Sequence, residues 1–528
     1  MVTKAWVAAV VLVGAIFWSF GPVLDNGFVW DDGANLGVAR SFWDRGFAGV
    51  VWAFTEPFSG HYQPLTWLSY QVDAWLSGAT PRGVHATNLL LHFLATALVA
   101  CVAWVLAARW VANRPERRIA FALISAALFA LHPIRVESVA WATERRDLLS
   151  AVFVLAALAL HLRSSPVDSS PSPVRGWVAL LHALAALSRA QLTLPLVLLL
   201  LDVWPLRRLG RSPGRAAAFG RLVAEKAVSF AIAVASALAA IWAQADSGAL
   251  TTTAEHGLAD RLVQAGYGLF WYPTALIWRR AWLPLYERPF PFDPLAPRYL
   301  AGALLAAGLL VGLWLGRRRF PALATAAGAY VLLVSPVLGV AQSGIQLVAD
   351  RYAYLATVPL VLLIAATGAK LWRDGGRRSA RVANTALAAF LLTWLAFAAW
   401  TTRKQTAVWR SDESLWRHVL AHSGSSLADN NLGYLLASRG ERGQGLFHLV
   451  RSLERVPQYV RPWRGIAALL EAPWPVDAPP PAWVVATLER AASHQLGSTL
   501  PRNALALAKK RAEEARYPAN APIAPVPP

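Results

Sequence analysis

The chain is predicted to fold as an all-α, polytopic membrane protein, and three observations carry that prediction. Of its 528 residues 56% are hydrophobic, more than one soluble core can hide. The apolar residues arrive in runs of roughly 15–22, the length at which a helix spans a bilayer. The basic residues gather in short stretches between those runs, as the positive-inside rule places them on the cytoplasmic face.

In chain order, the first run, 5–20, follows Lys4 and reads as an uncleaved anchor, since no small-residue cleavage pattern follows it. Further runs occupy 85–108, 118–136, 148–162, 176–187, 192–206 and 227–243, then 299–315, 320–337, 352–371 and 382–400. About eleven spans result. The runs at 176–187 and 192–206 are short and read as a broken, dipping pair, tolerable only where the irregular backbone is buried in protein or lines a cavity. The aromatic, proline-rich stretch GYGLFWYPTALIWRRAWLPLYERPFPFDP reads as a re-entrant or interfacial element.

Four basic clusters fix the orientation. They are Arg109, Arg114, Arg117 and Arg118; Arg207, Arg208, Arg211, Arg215, Arg221 and Lys226; Arg317, Arg318 and Arg319; and Lys370, Arg373, Arg377, Arg378 and Arg381. With a cytoplasmic N-terminus all four fall inside, so the net charge of +20 reports orientation rather than nucleic-acid binding. Three polar segments then face outward: the long loop 21–84, the turn HPIRVESVAWATERRD and the turn GIQLVADRY. The single cysteine, Cys101, leaves no intramolecular disulfide to hold them.

Beyond Trp400 the hydropathy falls, and the odd number of spans puts this end outside. ADNNLGYLLASRGERGQGLFHLVRSLERVPQY reads as a helix–turn–helix with the small residues and Pro457 at tetratricopeptide-repeat spacings. The expected organisation is a membrane domain over 1–400, a repeat-like helical region over 401–475, additional helices over 476–516 and a disordered Pro-rich tail over 517–528.

The outward segments hold the candidate chemistry. Asp31 and Asp32 follow an aromatic just beyond the first run, as a general base or metal ligand, or as a helix-capping carboxylate. Adjacent side chains of an extended segment face opposite ways, so the two carboxylates are expected to have different jobs. The turn HPIRVESVAWATERRDLLS packs His132, Arg135, Glu137, Glu144, Arg145, Arg146 and Asp147 between apolar runs. Charges at such depth imply a polar cavity, either self-paired or with arginines holding an anionic head group. Asp350 and Arg351 sit at the outer end of a late span, as a phosphate clamp or a simple ion pair. His61 in HYQPLTWLSY lines an acceptor groove or packs an interfacial helix, while His85, Asn88 and His92 share one helix face suited to interhelical hydrogen bonding. Walker A loops, dinucleotide fingerprints and Cys/His clusters are absent from the sequence, and every inner loop is short. An enzyme with its chemistry outside needs a donor that reaches the outer leaflet, and a lipid-linked donor does so.

The blocks FVWDDGANL, HYQPLTWLSYQVDAWLSGATPRGVHATNLLLH, FALISAALFALHPIRVESVAWATERRDLLSAVF, LSRAQLTLPLVLLLLDVWPL, LFWYPTALIWRRAWLPLYE and SPVLGVAQSGIQLVADRYAYLATVPL resemble, in order, those of the TMTC-type transmembrane and tetratricopeptide-repeat proteins and their bacterial relatives, within the GT-C superfamily of glycosyltransferases. The resemblance implies a GT-C-like bundle that moves a sugar, mannose-like, from a polyprenyl-phosphate donor to a hydroxyl acceptor. The acceptor it implies is a Ser or Thr of a secreted or membrane protein on the non-cytoplasmic face of the cell (inner) membrane. It places the catalytic acid at Asp31 and Asp32. Arg135, Arg145, Asp147 and Arg351 fall on the donor-phosphate side, and His61, His132, Glu137, Glu144, Asp350 and Arg189 support the substrates. In SRAQLTLP, Arg189 keeps the charge of a lysine found in many relatives, and the repeat region is shortened. No metal ligand is assigned, a divalent metal being optional once arginines neutralise the leaving phosphate. The rival functions are a transporter or flippase for a lipid or anionic solute, and an inactive scaffold whose outer helices recruit partners.

Overall fold

The computed structural model describes residues 2–36, 46–78, 80–109, 114–163, 173–211, 214–248, 256–340, 344–372, 378–475, 477–495 and 499–514. Arg373 and Arg377 of the fourth basic cluster and the tail 517–528 lie outside the described residues. The chain forms two compact units, one of residues 1–282 and 293–409, the other of residues 283–292 and 410–528.

Each of the eleven apolar runs carries a helix of the first unit. Five helical segments among the described residues are long and apolar enough to cross a membrane: Ala5–Asp25, Pro81–Ala107, Ala227–Asp246, Pro297–Gly316 and Arg378–Val408. Two bent pairs raise the number to seven if each is one span. The other four runs form Arg145–Arg163, whose first turn is charged, and the shorter Pro173–Ser188, Leu194–Val203 and Pro321–Val334. By length and composition the structure thus supports five to seven crossings against the eleven expected.

The bent pairs organise the unit. Pro115–Ala130 turns by 61° into Pro133–Ala140, and Asp350–Ala356 turns by 60° into Val358–Leu371. Proline explains both breaks, since Pro133 and Pro359 bring no backbone N–H to the helix ladder. The carbonyl of Phe129 would have bonded to residue 133; instead it accepts from Arg135 Nε at 3.2 Å. Ala130 O lies 3.2 Å from His92 Nε2, and Leu131 O accepts from Thr402 Oγ1 at 2.8 Å. Across the second break Arg135 Nη1 donates to the carbonyls of Ala353 and Tyr354 at 2.7 and 2.8 Å, and Nη2 to Thr357 Oγ1 at 2.8 Å. One fully buried guanidinium therefore fastens the two breaks together and supplies donors that the backbone lacks.

At the other end of Arg145–Arg163 lies a second polar knot. The Asp202 carboxylate is fully buried and meets Lys226 Nζ, His161 Nε2 at 3.0 Å and Arg208 Nη1 at 3.1 Å. Arg109 Nη2 caps the carbonyl of Leu162 at 2.8 Å, so the first two basic clusters meet at this end. The 19-residue helix between the knots is about 28 Å long, close to the hydrocarbon thickness of a bilayer.

In the second unit the expected helix–turn–helix is Ser426–Ser438 and Arg442–Arg455, followed by Arg461–Glu471, Pro481–Ser493 and Thr499–Glu514. The buried Asp429 joins the hairpin to itself, bonding to His448 Nδ1 at 2.8 Å and Arg455 Nε at 2.7 Å. Trp463 is fully buried among Leu446, Leu449, Ile466 and Leu488. Residues 283–292 of the aromatic, proline-rich stretch belong here because Glu287 Oε2 accepts from Ser425 Oγ at 2.5 Å and from Leu427 N at 3.2 Å. The rest of that stretch begins within the helix Leu258–Ala275.

Gly433 and Gly445 let the two hairpin helices touch backbone to backbone. A Cβ on Gly433 would stand 2.8 Å from Leu449 Cγ and 3.0 Å from Gly445 O. Gly433→Ala is expected to destabilise the second unit by about 1–3 kcal/mol, the usual cost of overpacking. Hydrogen exchange of the full chain checks this, as faster exchange across 426–455 with no change in the first unit.

Candidate active site

The loop after the first helix is fixed by Asp32. Its Oδ2 accepts from Val29 N at 3.0 Å while Asp32 N donates to Val29 O at 3.0 Å, closing a tight turn. Its Oδ1 reaches across the fold to Thr143, accepting from the backbone N at 2.8 Å and from Oγ1 at 2.7 Å. Asn35 Nδ2 donates to the same Oγ1 at 3.2 Å. Asp32 is fully buried, and burial pushes its carboxyl up to about 7 against the pull of these hydrogen bonds. Asp31, its neighbour, is exposed. The two aspartates thus face different environments, at a turn that opens a short helix rather than in the extended segment expected, and Asp32 is the anchor.

The anchored turn holds Trp30 at φ 56°, a left-handed conformation that costs a bulky residue energy and persists only where packing fixes it. The packing is aromatic: Trp30 stacks on Trp141 at 4.6 Å between centroids and 8° between planes, and Trp141 lies against Trp409 at 5.7 Å. Tyr70 OH donates to Ala142 O at 2.8 Å and Asn88 Nδ2 reaches Val139 O and Trp141 O at 3.4 Å, steadying the turn from two further helices.

Beyond Trp141 the charged residues of the turn meet those of VADRY and SRAQ. Glu137 accepts from Arg351 twice, from the guanidinium and, at 2.8 Å, from the backbone N. Glu144 pairs with Arg146 at 2.5 Å and stands 3.4 Å from Arg351 Nε. Asp147 is bonded to Arg189. Glu137, Arg351, Glu144 and Arg146 thus alternate in one buried ladder, and the neighbouring Asp147 pairs with the half-buried Arg189 beside it, with Arg351 also over the Trp141 and Tyr352 rings. Burial alone raises the Glu144 carboxyl, but Arg146 and Arg351 override it and hold the group below its ordinary value. His61 is brought to the same cluster: burial, then the charge of Arg146, keeps its imidazole neutral, well below the usual histidine range.

Three polar atoms here, Arg146 Nη1, Asp147 Oδ2 and Arg351 Nε, are buried and have no hydrogen-bond partner among the described residues, although Arg351 Nε is within ion-pair reach of Glu144. Such atoms are costly unless a ligand or water completes them. Asp147, Arg189, Arg351, Gln191 and Thr193 line a cleft of about 530 Å³, its mouth included. Gln191 Nε2 donates to Ser150 Oγ at 3.0 Å, and Thr66 Oγ1 to Ser188 O at 3.0 Å, which sets the Arg189 segment against the ladder.

Not every predicted site residue joins this cluster. Arg145 donates to Asn88 Oδ1 at 2.8 Å and Val84 O at 2.7 Å and pairs with Asp73 at 2.5 Å, binding three helices together from a fully buried position. Arg135 is spent on the helix breaks. His132 Nδ1 accepts from Ile134 N at 3.1 Å and Nε2 lies 3.2 Å from Leu276 O, with its ring against Trp282 and Trp394. Asp350 is buried at the start of the turn that carries Arg351. Asn88 and His92 make interhelical hydrogen bonds, His92 Nδ1 lying 2.8 Å from Tyr354 OH, whereas His85 Nε2 lies 3.3 Å from the loop carbonyl of Gly27. Arg146 and Thr143 were the residues that sequence reasoning left unassigned. The helical phase of ERRD, about 100° per residue, separates Arg145 from Arg146 and was the available signal. Among the described residues no group of three His, Cys, Asp or Glu side chains is placed to hold a metal ion.

No family model matches the chain, and no solved structure matches it. Curated relatives do. Protein O-mannosyl-transferase Tmtc2 of Drosophila melanogaster is 37% identical over 167 residues, which are 30% of this chain and 17% of that protein. Protein O-mannosyl-transferase TMTC4 of Homo sapiens is 39% identical over 149 residues, 26% of this chain and 20% of that one. Human Protein O-mannosyl-transferase TMTC1 is 32% identical over 174 residues, 30% and 18% of the two chains. The matched region spans a fifth or less of the length of these relatives. The similarity that the ordered motifs pointed to is therefore a similarity to TMTC-type protein O-mannosyl-transferases, carried by about 30% of the chain.

Proposed function

We propose that the protein is a membrane glycosyltransferase that moves a mannose-like sugar from a polyprenyl-phosphate donor to a hydroxyl of a protein, on the non-cytoplasmic face. The observation that carries the reading is the buried charge ladder. Segments from four distant parts of the sequence converge on one cleft whose lining combines guanidiniums with an unpartnered carboxylate oxygen. The names of the relatives support sugar transfer to protein.

In this reading Asp31 is the base. The Asp32 anchor fixes the backbone on one side, and the exposed Asp31 carboxylate takes the proton of the acceptor hydroxyl as its oxygen attacks the anomeric carbon. The bond from that carbon to the phosphate oxygen breaks, and the phosphate departs with the lipid. Arg189, Arg351 and Arg146 stabilise the charge that develops on it. Glu137 and Glu144 hold two of those guanidiniums in place. The configuration at the anomeric carbon inverts because a single displacement occurs. His61, neutral beside the cluster, orients the acceptor. No step is routed through a metal.

The orientation rests on the two ends of the first unit. The first two basic clusters gather around Asp202 and Leu162, about a bilayer's thickness from the ladder, so the positive-inside rule turns the ladder outward. An odd number of crossings in the cell membrane, eleven in the full count of apolar runs, then leaves the repeat-like second unit outside.

Incubating the purified protein in lipid with polyprenyl-phosphate mannose and acceptor peptides, and weighing the products by mass spectrometry, tests the reading. Asp31→Asn is expected to slow transfer by about 10²–10⁴-fold, the usual worth of a positioned base, without loss of folding. Passage of the lipid across the bilayer with no bond broken would instead identify a transporter, and an undiminished Asp31→Asn enzyme would remove the assignment of the base.

Asp32→Asn is expected to act on stability. Each donor it leaves stranded costs about 1–3 kcal/mol. The Asp32 carboxyl sits near 7 in the folded protein against an ordinary 3.8, so its contribution is complete below about pH 4 and is lost as pH rises through 7. Melting temperatures measured across that window should show the wild type losing ground to Asp32→Asn as pH rises.

A further inference from the structure

The helix Pro297–Gly316 carries four glycines, Gly302, Gly308, Gly312 and Gly316, and each weakens it relative to alanine. Gly302 has a reason inside the fold: a Cβ there would stand 3.0 Å from the Tyr267 ring, where the helix crosses Leu258–Ala275. Gly308 and Gly312 have none, since a Cβ on either would meet nothing within 4 Å. With Gly316 they recur at every fourth residue and so share one helix face. They line a groove of about 460 Å³ that runs from Leu304 to Phe320 and is bordered by Leu323 of the next helix, Pro321–Val334. From Leu304 to Gly316 it is about 18 Å long at 1.5 Å per residue, close to the hydrocarbon depth of one leaflet.

The Phe320 end of the groove carries charge. Arg317, Arg318 and Arg319 make the turn between the two helices, with Arg317 bonded to Trp314 O and lying 3.7 Å over the Trp314 ring. The Arg319 guanidinium stands 5.6 Å from the centroid of Phe320. In the second basic cluster Asp202 and Glu225 take up Arg208, and Asp202 takes up Lys226. Among the described residues no carboxylate pairs with Arg317, Arg318 or Arg319. Three uncompensated cations at the end of a leaflet-deep apolar groove fit an anionic head on a hydrocarbon chain, as basic pockets between membrane helices do. We infer that the groove holds an acyl chain of an anionic glycerophospholipid whose phosphate rests on the Arg317–Arg319 turn. A glycine face also suits a second copy of the chain. Two-fold packing in the same orientation would, however, bring two such turns together, six cations with no carboxylate between them. The lipid cancels the charge of the turn, and the copy doubles it. The site is independent of the proposed reaction.

Native mass spectrometry of the full-length protein in mild detergent tests this, with phosphatidylglycerol and phosphatidylcholine of identical acyl chains as probes. Phosphatidylglycerol is expected to be retained in preference to phosphatidylcholine. Arg318→Gln combined with Arg319→Gln should weaken its binding by about 25-fold, at roughly fivefold for each arginine near an anionic head group. Gly312→Leu fills the groove and leaves every charge in place. It should weaken binding by about tenfold, the loss from displacing two or so buried methylenes, and leucine in place of glycine favours the helix. Ala307→Leu, at an exposed position of the same helix outside the groove, should leave binding unchanged. Equal retention of the two lipids, displacement of phosphatidylglycerol by glycerol 3-phosphate alone, or undiminished binding by Gly312→Leu would each overturn the inference. So would a dimer that Gly312→Leu dissociates while lipid stays bound, which would give the groove to a second copy.

Discussion

Every feature of the first unit depends on how two broken helices satisfy their backbone. In a low-dielectric interior an unpaired carbonyl costs several kcal/mol, so a proline break is tolerable only where donors are brought to it. Arg135 brings them to both breaks at once, aided by His92 and Thr402. The result is a rigid crossing from which the charged turn and the VADRY turn both project. Without that fastening Glu137 and Arg351 would have no fixed relation, and the ladder would not form.

The ladder follows a second economy. Three carboxylates and two guanidiniums are buried together beside the half-buried Arg189, and their desolvation is offset only by close pairing. Asp147 Oδ2 and Arg146 Nη1 stay unsatisfied, which marks where alternation stops and a ligand can complete it. Asp32 supplies the frame for this region, spending both its oxygens on the turn at Val29 and on Thr143. The division of labour between two adjacent aspartates follows from a one-residue change of face.

Much of this was legible in the sequence, for a physical reason. Helices that bury apolar surface announce themselves by run length, and all eleven runs are helical. Charges placed between such runs announce a polar interior, which brought HPIRVESVAWATERRD, VADRY and Arg189 together as expected. What the runs do not encode is span number, because a ten-residue helix such as Leu194–Val203 is apolar without being long enough to cross. Nor do they encode which of two neighbouring arginines is structural. Arg135 and Arg145 read as ligands of a phosphate, yet carbonyls, Asn88, Thr357 and Asp73 use their donors, whereas Arg146 turns to the ladder. Side-chain direction depends on where the 3₁₀ turn ends and the helix begins, which composition leaves open.

Arg135 has one more property. Its partners are carbonyls and a hydroxyl, and among the described ion pairs none includes it. Dipoles hold this cation without cancelling it, while the ladder above sums to zero. Its guanidinium lies over the Phe129 ring at 4.4 Å and within 5.7 Å of the Tyr354 ring, and Tyr354 lines the cleft. The scaffold therefore imposes a standing positive potential from beneath the cleft floor, felt strongly across so little dielectric. The proposed preference of the cleft for anions thus has a source in the bundle's keystone as well as in the side chains on its walls.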